Sequence, residues 1–317
     1  MTNETFMSEY GFGRGILTYD AVSLDRNTSH IQPFLRMTQN EGFRYLRSDG
    51  VVVRYRQGLA SSRLSEGYPT LLDSLKKQGV IDRAAFALHL ENELSSSNET
   101  SMLTFGSWNW EKYALSPPKY VRLASRSGLW EVGLNGFKVE GELISESALA
   151  LVSSSSSDIL LPPHAYSLYS DTICQQVKCV HSWMDFSFDC QNGEEQQLPD
   201  ITFLLGGHEF SVSSSLYIRK HAGKCESAVS ASDLDFYVLG ITFMWAYYTI
   251  FDMEKEQIGF ARSVNYPYLP STSSTLYWIW GGAFALLLMC VVIVAYTRRR
   301  PTPIQDPIIK PLIPREF

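Results

Sequence analysis

Apolar and aromatic runs recur along most of the chain, separated by Gly, Asn, Ser and charged residues. Short runs bounded by turn residues predict β-strands. They read GILTYDAVSL, DGVVVRYRQG, SMLTFGSWNW, LWEVGLNGFKVEG, ALALV, DITFLLGGHEFSVS, DFYVLGITF and YYTIFDMEKEQIGFA. The Asn-Gly of LNGFKVEG and the Gly-Gly of LLGGHEFSV predict tight hairpin turns, because these pairs adopt positive φ angles. The pattern predicts a mainly β fold.

Two stretches carry helical signals instead. YPTLLDSLKKQG has apolar residues three and four apart and a glycine stop at Gly79. PPHAYSLYSDTIC opens with proline, which suits the first turn of a helix. We therefore expect small helices among the strands.

Residues 275–297 contain no charged side chain. About 20 residues at ~1.5 Å each cross a hydrocarbon core of ~30 Å. Aromatic residues lie at both ends of the run, and three arginines follow it at 298–300. Positive charge stays cytoplasmic, so we predict one C-terminal transmembrane helix with the N-terminal bulk luminal or extracellular. The alternative is a buried core helix, which seldom runs this long before an arginine stop.

The segments beside this run have distinct compositions. Residues 263–274 are polar and predict a stalk, and residues 298–317, rich in proline and basic, predict a cytoplasmic tail. The first residues contain no apolar targeting segment. We expect either that the membrane run itself directs a tail-anchored chain or that the native start lies upstream.

Composition and modification signals are typical of a protein of the secretory system or the cell surface. The net charge of −6 is mild and argues against a nucleic-acid partner. Asn3, Asn27 and Asn98 each begin a glycosylation sequon. Four cysteines precede the membrane run, an even number that suits disulfides, and they lack the spacing of a zinc site. They are Cys174, Cys179, Cys190 and Cys225.

Seven stretches, taken in order, resemble the pepsin family of aspartic proteases. They are YGFGRG, SDGVVVRY, LLDSLKKQGVIDRAAFALHL, LTFGSWNW, LWEVGLNGFKVEG, LPDITFLLGGHEFSVSSSLYI and FYVLGITFMWAYYTIFDMEKEQIGFA. With the membrane run, the resemblance is closest to the beta-secretase-like, membrane-anchored branch. It implies a bilobal acid-protease fold: residues 1–129 as a partial N-terminal lobe with inter-lobe strands, and residues 130–262 as the C-terminal lobe. It also implies that Tyr10, Gly11 and Gly13 belong to a flap that contacts peptide.

The five consecutive serines 153–157 fall in the most informative motif. The family writes A-I-V-D-[ST]-G-[ST]-[ST]-x-L-x-L-P where this chain writes ALVSSSSSDILLP. The resemblance places the catalytic aspartate at Ser153 and the motif glycine at Ser155, with Ser154 and Ser156 in the same active-site loop. Composition alone also fits a serine-rich linker, but the apolar flanks favour a strand and turn. Asp158 follows too late in the loop to restore the acid.

Catalytic chemistry then points to an inactive homologue. Aspartic proteolysis needs two carboxylates ~3 Å apart that share a proton. Serine does not ionise, and no D-T-G or D-S-G occurs in the chain. G-x-S-x-G and H-E-x-x-H motifs are also absent, which argues against a serine hydrolase or a metalloprotease. We expect no cofactor and no metal, and a peptide or protein ligand in the cleft.

Several alternatives remain open from the sequence. Two alternatives to the inactive homologue are a truncated aspartic endopeptidase and a β-rich adhesion ectodomain. The four cysteines allow three connectivities. Cys190 and Cys225 flank a hairpin as the family's C-terminal-lobe disulfide does, so we predict that pair together with Cys174–Cys179.

Overall fold

The structure is a computed structural model that describes residues 3–8, 11–23, 29–41, 69–91, 100–125, 129–145, 147–191 and 193–266. The chain divides into two units, Met1–Pro267 and Tyr268–Phe317, and the described residues all belong to the first. Strands dominate this part of the chain, which confirms the prediction of a mainly β fold.

The described elements follow one another in this order. The strands are β1 Asn3–Ser8, β2 Gly11–Ser23, β3 Ser29–Glu41, β4 Ala85–His89, β5 Met102–Phe105, β6 Lys119–Arg122, β7 Glu131–Val139, β8 Glu142–Ser145, β9 Ala148–Val152, β10 Ile159–Leu161, β11 Val180–His181, β12 Phe186–Asp189, β13 Ile201–Leu205, β14 His208–Val212, β15 Ile218–His221, β16 Lys224–Ser227, β17 Val229–Ala231, β18 Tyr237–Leu239, β19 Tyr247–Asp252 and β20 Gln257–Arg262. The helices are α1 Leu71–Lys77, α2 Trp110–Tyr113, α3 Pro163–Cys174, α4 Ser214–Tyr217 and α5 Ile241–Ala246, with a 3-10 turn at Glu194–Gln197.

The first sheet is antiparallel and has the order β1-β2-β3. Helix α1 follows it and is held by side-chain hydrogen bonds at both ends. Thr70 and Asp73 form a capping box at its start. Beyond its end, the Gln78 amide both donates to and accepts from the backbone of Ile31 in β3, each at 3.1 Å. The predicted glycine stop is confirmed, since Gly79 has φ 71°.

The second sheet joins segments that lie far apart in sequence. Its order is β5-β4-β19-β20-β6, so strands from residues 85–122 pair with strands from residues 247–262. Every residue of β4 and of β19 is buried, as expected for the central strands of a sheet covered on both faces. The last strands of the domain therefore close a sheet that begins in its first half.

The third sheet carries the main core. Its order is β14-β13-β7-β9-β18-β10-β17, with β8 paired to β7. Alternate residues of β13 are buried, which is the period of a strand with one face on the core. Phe137 of β7 and Phe203 of β13 stack with ring centroids 5.0 Å apart.

One of the two predicted hairpin turns is correct and the other is displaced. Gly206 and Gly207 have φ 56° and 80° and connect β13 to β14, as predicted. Asn135-Gly136, by contrast, lies inside β7, beside an irregularity in the pairing with β13. The turn after β7 is at Glu140 and Gly141, with φ 54° and 81°. Burial of Phe137 and Val139 extends the strand past the Asn-Gly signal.

Two predicted strands are shorter than expected and end in helices. SMLTFGSWNW contains β5 and then leads into α2, whose first turn is capped by the Asn109 side chain accepting from Lys112 N–H at 3.1 Å. DFYVLGITF contains β18 and then enters α5 at Ile241. Both helices are too short to show a helical period in the sequence. The predicted helix in PPHAYSLYSDTIC is confirmed as α3, with Pro163 in its first turn.

A fourth sheet has the order β11-β12-β16-β15, and Cys225 lies in its β16 strand while Cys190 directly follows β12. Cys190 and Cys225 form a disulfide with Cα atoms 5.8 Å apart, and Cys174 pairs with Cys179 at 5.5 Å. Both predicted disulfides are therefore present, and one of the three possible connectivities is selected.

The end of the described chain differs from the predicted stalk. Ser263 and Tyr266 are buried, 1% and 8% exposed: Ser263 forms a bridge with Ala114, and the Tyr266 hydroxyl donates to Ser211 O at 3.2 Å. Residues 263–266 are thus part of the folded domain. The predicted span at 275–297 lies outside the described residues, as does the predicted strand DGVVVRYRQG. Within the described ranges, no helix is long and apolar enough to cross a membrane.

Candidate functional site

The candidate site is built on three neighbouring strands. Strand β18 lies between β9 and β10, parallel to the first and antiparallel to the second. Residues 153–158 connect β9 to β10 across the end of β18, and we call this connection the serine loop. Val152 and Ile159, at its two ends, are buried, so the loop is fixed at both ends by the core.

Ser153 is the first residue of the serine loop and lies at the end of β9. Its N–H donates to the carbonyl of Leu239 at 3.1 Å, which continues the pairing with β18. Its Oγ lies 2.7 Å from Ser155 Oγ and accepts from Ser155 N–H at 3.3 Å. Ser154 forms the turn between them. The loop thus aims two hydrogen-bonding groups of Ser155 at the side chain of position 153.

The second half of the loop is tied to the start of α5. The carbonyl of Ser156 accepts from Ile241 N–H at 2.8 Å, and that of Ser157 accepts from Thr242 N–H at 3.0 Å. The Thr242 hydroxyl adds a third bond to Ser157 O at 2.9 Å. The first N–H groups of a helix need such partners, and here the serine loop supplies them.

Gly240 is the point of closest approach between β18 and the loop. A Cβ atom at this position would lie 2.2 Å from Asp158 O and 2.6 Å from Ser156 O. Both contacts are with backbone, which cannot move aside without changing the loop. Only glycine fits here, and sequence reasoning assigned Gly240 no role beyond its place in a motif.

Asp158 is the carboxylate of the serine loop, and it faces away from Ser153. It forms an ion pair with Arg219 of β15 and accepts from Ser230 Oγ at 3.1 Å and Ser157 Oγ at 2.9 Å. The carboxylate is therefore held in a structural role between the loop and the fourth sheet. Arg219 is 61 residues away in sequence, which is why sequence reasoning missed this contact.

Comparison with known proteins shows the family to which this chain is similar. The family described as eukaryotic aspartyl protease matches residues 1–263. Pregnancy-associated glycoprotein 1 of Bos taurus is 30% identical over 275 residues, which cover 83% of this chain and 68% of that protein.

The chain belongs to the eukaryotic aspartyl protease family. Gastricsin of Oryctolagus cuniculus is 29% identical over 273 residues, or 82% of this chain and 67% of that protein. Probable vacuolar protease A of Trichophyton verrucosum (strain HKI 0517) is 25% identical over 269 residues, or 81% and 64%. The chain spans about two thirds of the length of these aspartyl protease relatives.

The remaining predicted site residues of this aspartyl protease homologue lie elsewhere. Gly11 and Gly13 are in β2, where Gly11 pairs with Ser8 and Gly13 with Phe6. Tyr10 lies outside the described residues. Among the sequons, Asn3 is in β1, and Asn27 and Asn98 lie outside the described residues.

Two groups of candidate metal ligands occur near the disulfides of this aspartyl protease homologue. Cys174 and Cys179 lie near His181, and Cys190 and Cys225 lie near Glu195. In both groups the cysteine sulfurs are bonded to each other. The thiolates that a metal would require are therefore already committed to disulfides.

Proposed function

We propose that this chain is a type I membrane-anchored aspartyl protease homologue that binds a peptide or protein ligand without cleaving it. The observation that supports the proposal is the serine at position 153, which the resemblance to the family motif aligns with the second-lobe aspartate. The proposal includes a place in the beta-secretase-like branch, with the folded domain luminal or extracellular and the C-terminus cytoplasmic.

The hydrogen bonds around Ser153 support a loop that holds the side chain at this position but offers no carboxylate there. Ser155 N–H and Ser155 Oγ both lie within hydrogen-bond distance of Ser153 Oγ, as groups that hold a side-chain oxygen in place would. A carboxylate there would be able to share a proton with a second carboxylate, whereas a serine hydroxyl does not ionise. The loop is therefore suited to bind and unsuited to activate water.

Neither the Asp158 carboxylate nor a nucleophilic role for Ser153 replaces the missing aspartate. The Asp158 carboxylate forms an ion pair with Arg219 and accepts hydrogen bonds from the Ser230 and Ser157 hydroxyls. A nucleophilic serine needs an adjacent base. The hydrogen bonds described for Ser153 Oγ join it to Ser155, which is not a base at any relevant pH.

A binding measurement tests the ligand-binding half of the proposal. A fluorescently labelled peptide substrate of the aspartic proteases should bind the full-length chain at acid pH, and Ser153→Phe should weaken binding about tenfold or more by filling the loop. Gly133→Ala serves as the control, since a Cβ at Gly133 meets nothing within 4 Å. Equal affinity for wild type and Ser153→Phe would contradict binding at the serine loop.

A second candidate is an aspartic endopeptidase of which this chain is one part. The observation that favours it is the match to gastricsin and to probable vacuolar protease A over about two thirds of their length. The transcript upstream of Met1 tests whether this chain is one part of a longer protein, and a cleavage assay of that longer protein tests activity. An in-frame signal peptide and D-T-G would favour this candidate, although Ser153 would still leave one aspartate. The alternative of an adhesion ectodomain has no such observation in its favour.

Membrane anchoring has its own test. The uncharged run at 275–297 and the arginines at 298–300 support it. We expect the full-length chain to stay in the membrane fraction after alkaline carbonate extraction. We also expect glycosidase treatment to lower its apparent mass, because the sequons would then carry glycans. Release into the soluble fraction would contradict the anchor.

A further inference from the structure

One of the two disulfides is accessible from solution. Cys174 and Cys179 are half-buried, whereas Cys190 and Cys225 are both fully buried. A reductant in solution therefore reaches the first disulfide more readily than the second. The first disulfide also closes a separation of only 5 residues, so its loss frees little chain entropy. We therefore expect that Cys174–Cys179 can open while the fold stays largely intact.

A histidine lies beside this accessible disulfide. Cys174 is the last residue of α3, Cys179 directly precedes β11, and His181 is the last residue of β11. One ring nitrogen of His181 lies within 4.8 Å of both sulfurs. The histidine is exposed, and its ring meets Phe186 of β12 edge-on with ring centroids 6.2 Å apart. The end of α3 and the start of the fourth sheet thus hold two sulfurs and an imidazole together.

These three groups are ligands that zinc prefers. Thiolate sulfur and neutral imidazole nitrogen bind Zn²⁺ at ~2.3 Å and ~2.0 Å, so the ligand atoms of a tetrahedral site are ~3.5–3.8 Å apart. Once the two sulfurs are no longer bonded to each other, small side-chain rotations would bring all three atoms to one ion, with water in the fourth position. Sequence reasoning missed this group because C-x₄-C-x-H departs from the common zinc spacings.

The second group of candidate ligands does not offer such a site. Cys190 and Cys225 are closed off from solvent, and the Glu195 carboxylate accepts from Lys220 Nζ at 2.7 Å. A metal ion would have to displace this ammonium group and enter the core. In the first group the nearby basic residue, Lys178, is exposed, so its charge stays hydrated.

We propose that reduction of the Cys174–Cys179 disulfide creates a zinc site made of Cys174, Cys179 and His181. A dithiol reductant supplies two electrons and two protons: its own sulfur–sulfur bond forms while the Cys174–Cys179 bond breaks, which leaves two thiols. Zn²⁺ then binds both sulfurs and the imidazole, and the two thiol protons pass to water. Zinc and the disulfide exclude each other, and either one links the end of α3 to β11. The site uses no residue of the serine loop, so it is independent of the function proposed above.

Metal titration of the full-length chain tests this inference. A Cys290→Ser background removes the fifth cysteine of the sequence. Limited dithiothreitol and anaerobic desalting open the accessible disulfide, and alkylation with peptide mapping identifies the free cysteines. Co²⁺ then reports thiolate ligands by its visible absorption, and competition with a chromophoric chelator gives the Zn²⁺ affinity. We expect Cys174 and Cys179 to be reduced first, and one Zn²⁺ to bind the reduced chain at concentrations where the oxidised chain binds none.

Single variants identify the ligands. His181→Ala should weaken Zn²⁺ binding by the reduced chain about tenfold or more. This variant keeps the disulfide in the oxidised chain, so its folding can be verified before reduction. The control is His221→Ala, since His221 is exposed on β15 of the same sheet but belongs to neither cysteine group, and it should leave the affinity unchanged. Zn²⁺ should also protect Cys174 and Cys179 from alkylation.

Several outcomes would overturn the proposal. These are equal Zn²⁺ affinity of the oxidised and reduced chains, equal affinity of wild type and His181→Ala, and protection that maps to Cys190 and Cys225 instead. Should reduction unfold the metal-free chain, Zn²⁺ is expected to restore the native circular dichroism of the wild type but not of His181→Ala. Failure to restore it would also count against the zinc site.

Discussion

At the scale of single residues, Gly240 shows how tightly the serine loop is packed. Its missing Cβ leaves room for two backbone carbonyls, at 2.2 Å and 2.6 Å from where that atom would be. We predict that Gly240→Ala lowers the free energy of unfolding by about 3 kcal/mol, as overpacking against rigid backbone does. Gly133→Ala, where a Cβ meets nothing within 4 Å, should change it by ~0.5 kcal/mol or less. Urea unfolding of both variants measures the difference, and similar effects would contradict the described loop geometry.

Asp158 gives a second prediction at the residue scale. Its carboxylate accepts from Arg219, Ser230 and Ser157, so removing its charge leaves a partly buried guanidinium without its partner. We predict that Asp158→Asn destabilises the domain by about 1–3 kcal/mol. Because the side chain is structural, the variant should alter peptide affinity only as far as it alters stability. An intact fold with peptide binding abolished would instead give Asp158 a place in the binding site.

At the scale of elements, the two disulfides should differ in their contribution to stability. Cys190–Cys225 closes a 35-residue separation and is buried, whereas Cys174–Cys179 closes a separation of 5. Chain-entropy arguments make the longer loop worth about 1.7 kcal/mol more. Paired Cys→Ser variants, compared by urea unfolding, should show the larger loss for Cys190 and Cys225. A larger loss for Cys174 and Cys179 would contradict this.

Glu254 links α1, β4 and the β19–β20 turn, and it adds a pH dependence. Hydrogen bonds from Lys76 and from Ala84 N–H lower the pKa of Glu254 from its ordinary 4.5. A carboxyl group with a lowered pKa in the folded state stabilises the fold above about pH 4.5, and this contribution is lost as pH falls through the folded pKa. We expect the Tm difference between wild type and Glu254→Gln to be small and to disappear at low pH. A difference that grows on acidification would be inconsistent with these contacts.

The elements also show what sequence patterns reveal and what they do not. Alternation and Gly206-Gly207 predicted β13 and β14, because both signals are local. The hairpin turn predicted at Asn135-Gly136 was wrong because burial of Phe137 and Val139 extends β7 beyond this turn signal. Helices α2 and α5 are shorter than the window in which a period is visible. The Arg219–Asp158 pair joins residues 61 apart, so no local pattern encodes it.

At the scale of the whole molecule, the backbone of the serine loop is set by the fold, whereas its chemistry is set by the side chain at position 153. Strands β9, β10 and β18, Gly240 and the start of α5 fix the backbone of the serine loop. The side chain at position 153 is nevertheless a serine. In the function we propose, this serine takes the place of the family's aspartate, as expected of a protein that binds a peptide without cleaving it.

The most direct test of this account is a peptide-cleavage assay of the full-length chain at acid pH, with and without a pepstatin-type inhibitor. Because Ser153 supplies no carboxylate that could share a proton with a second one, we predict no inhibitor-sensitive turnover. Inhibitor-sensitive cleavage by the wild-type chain would contradict the account.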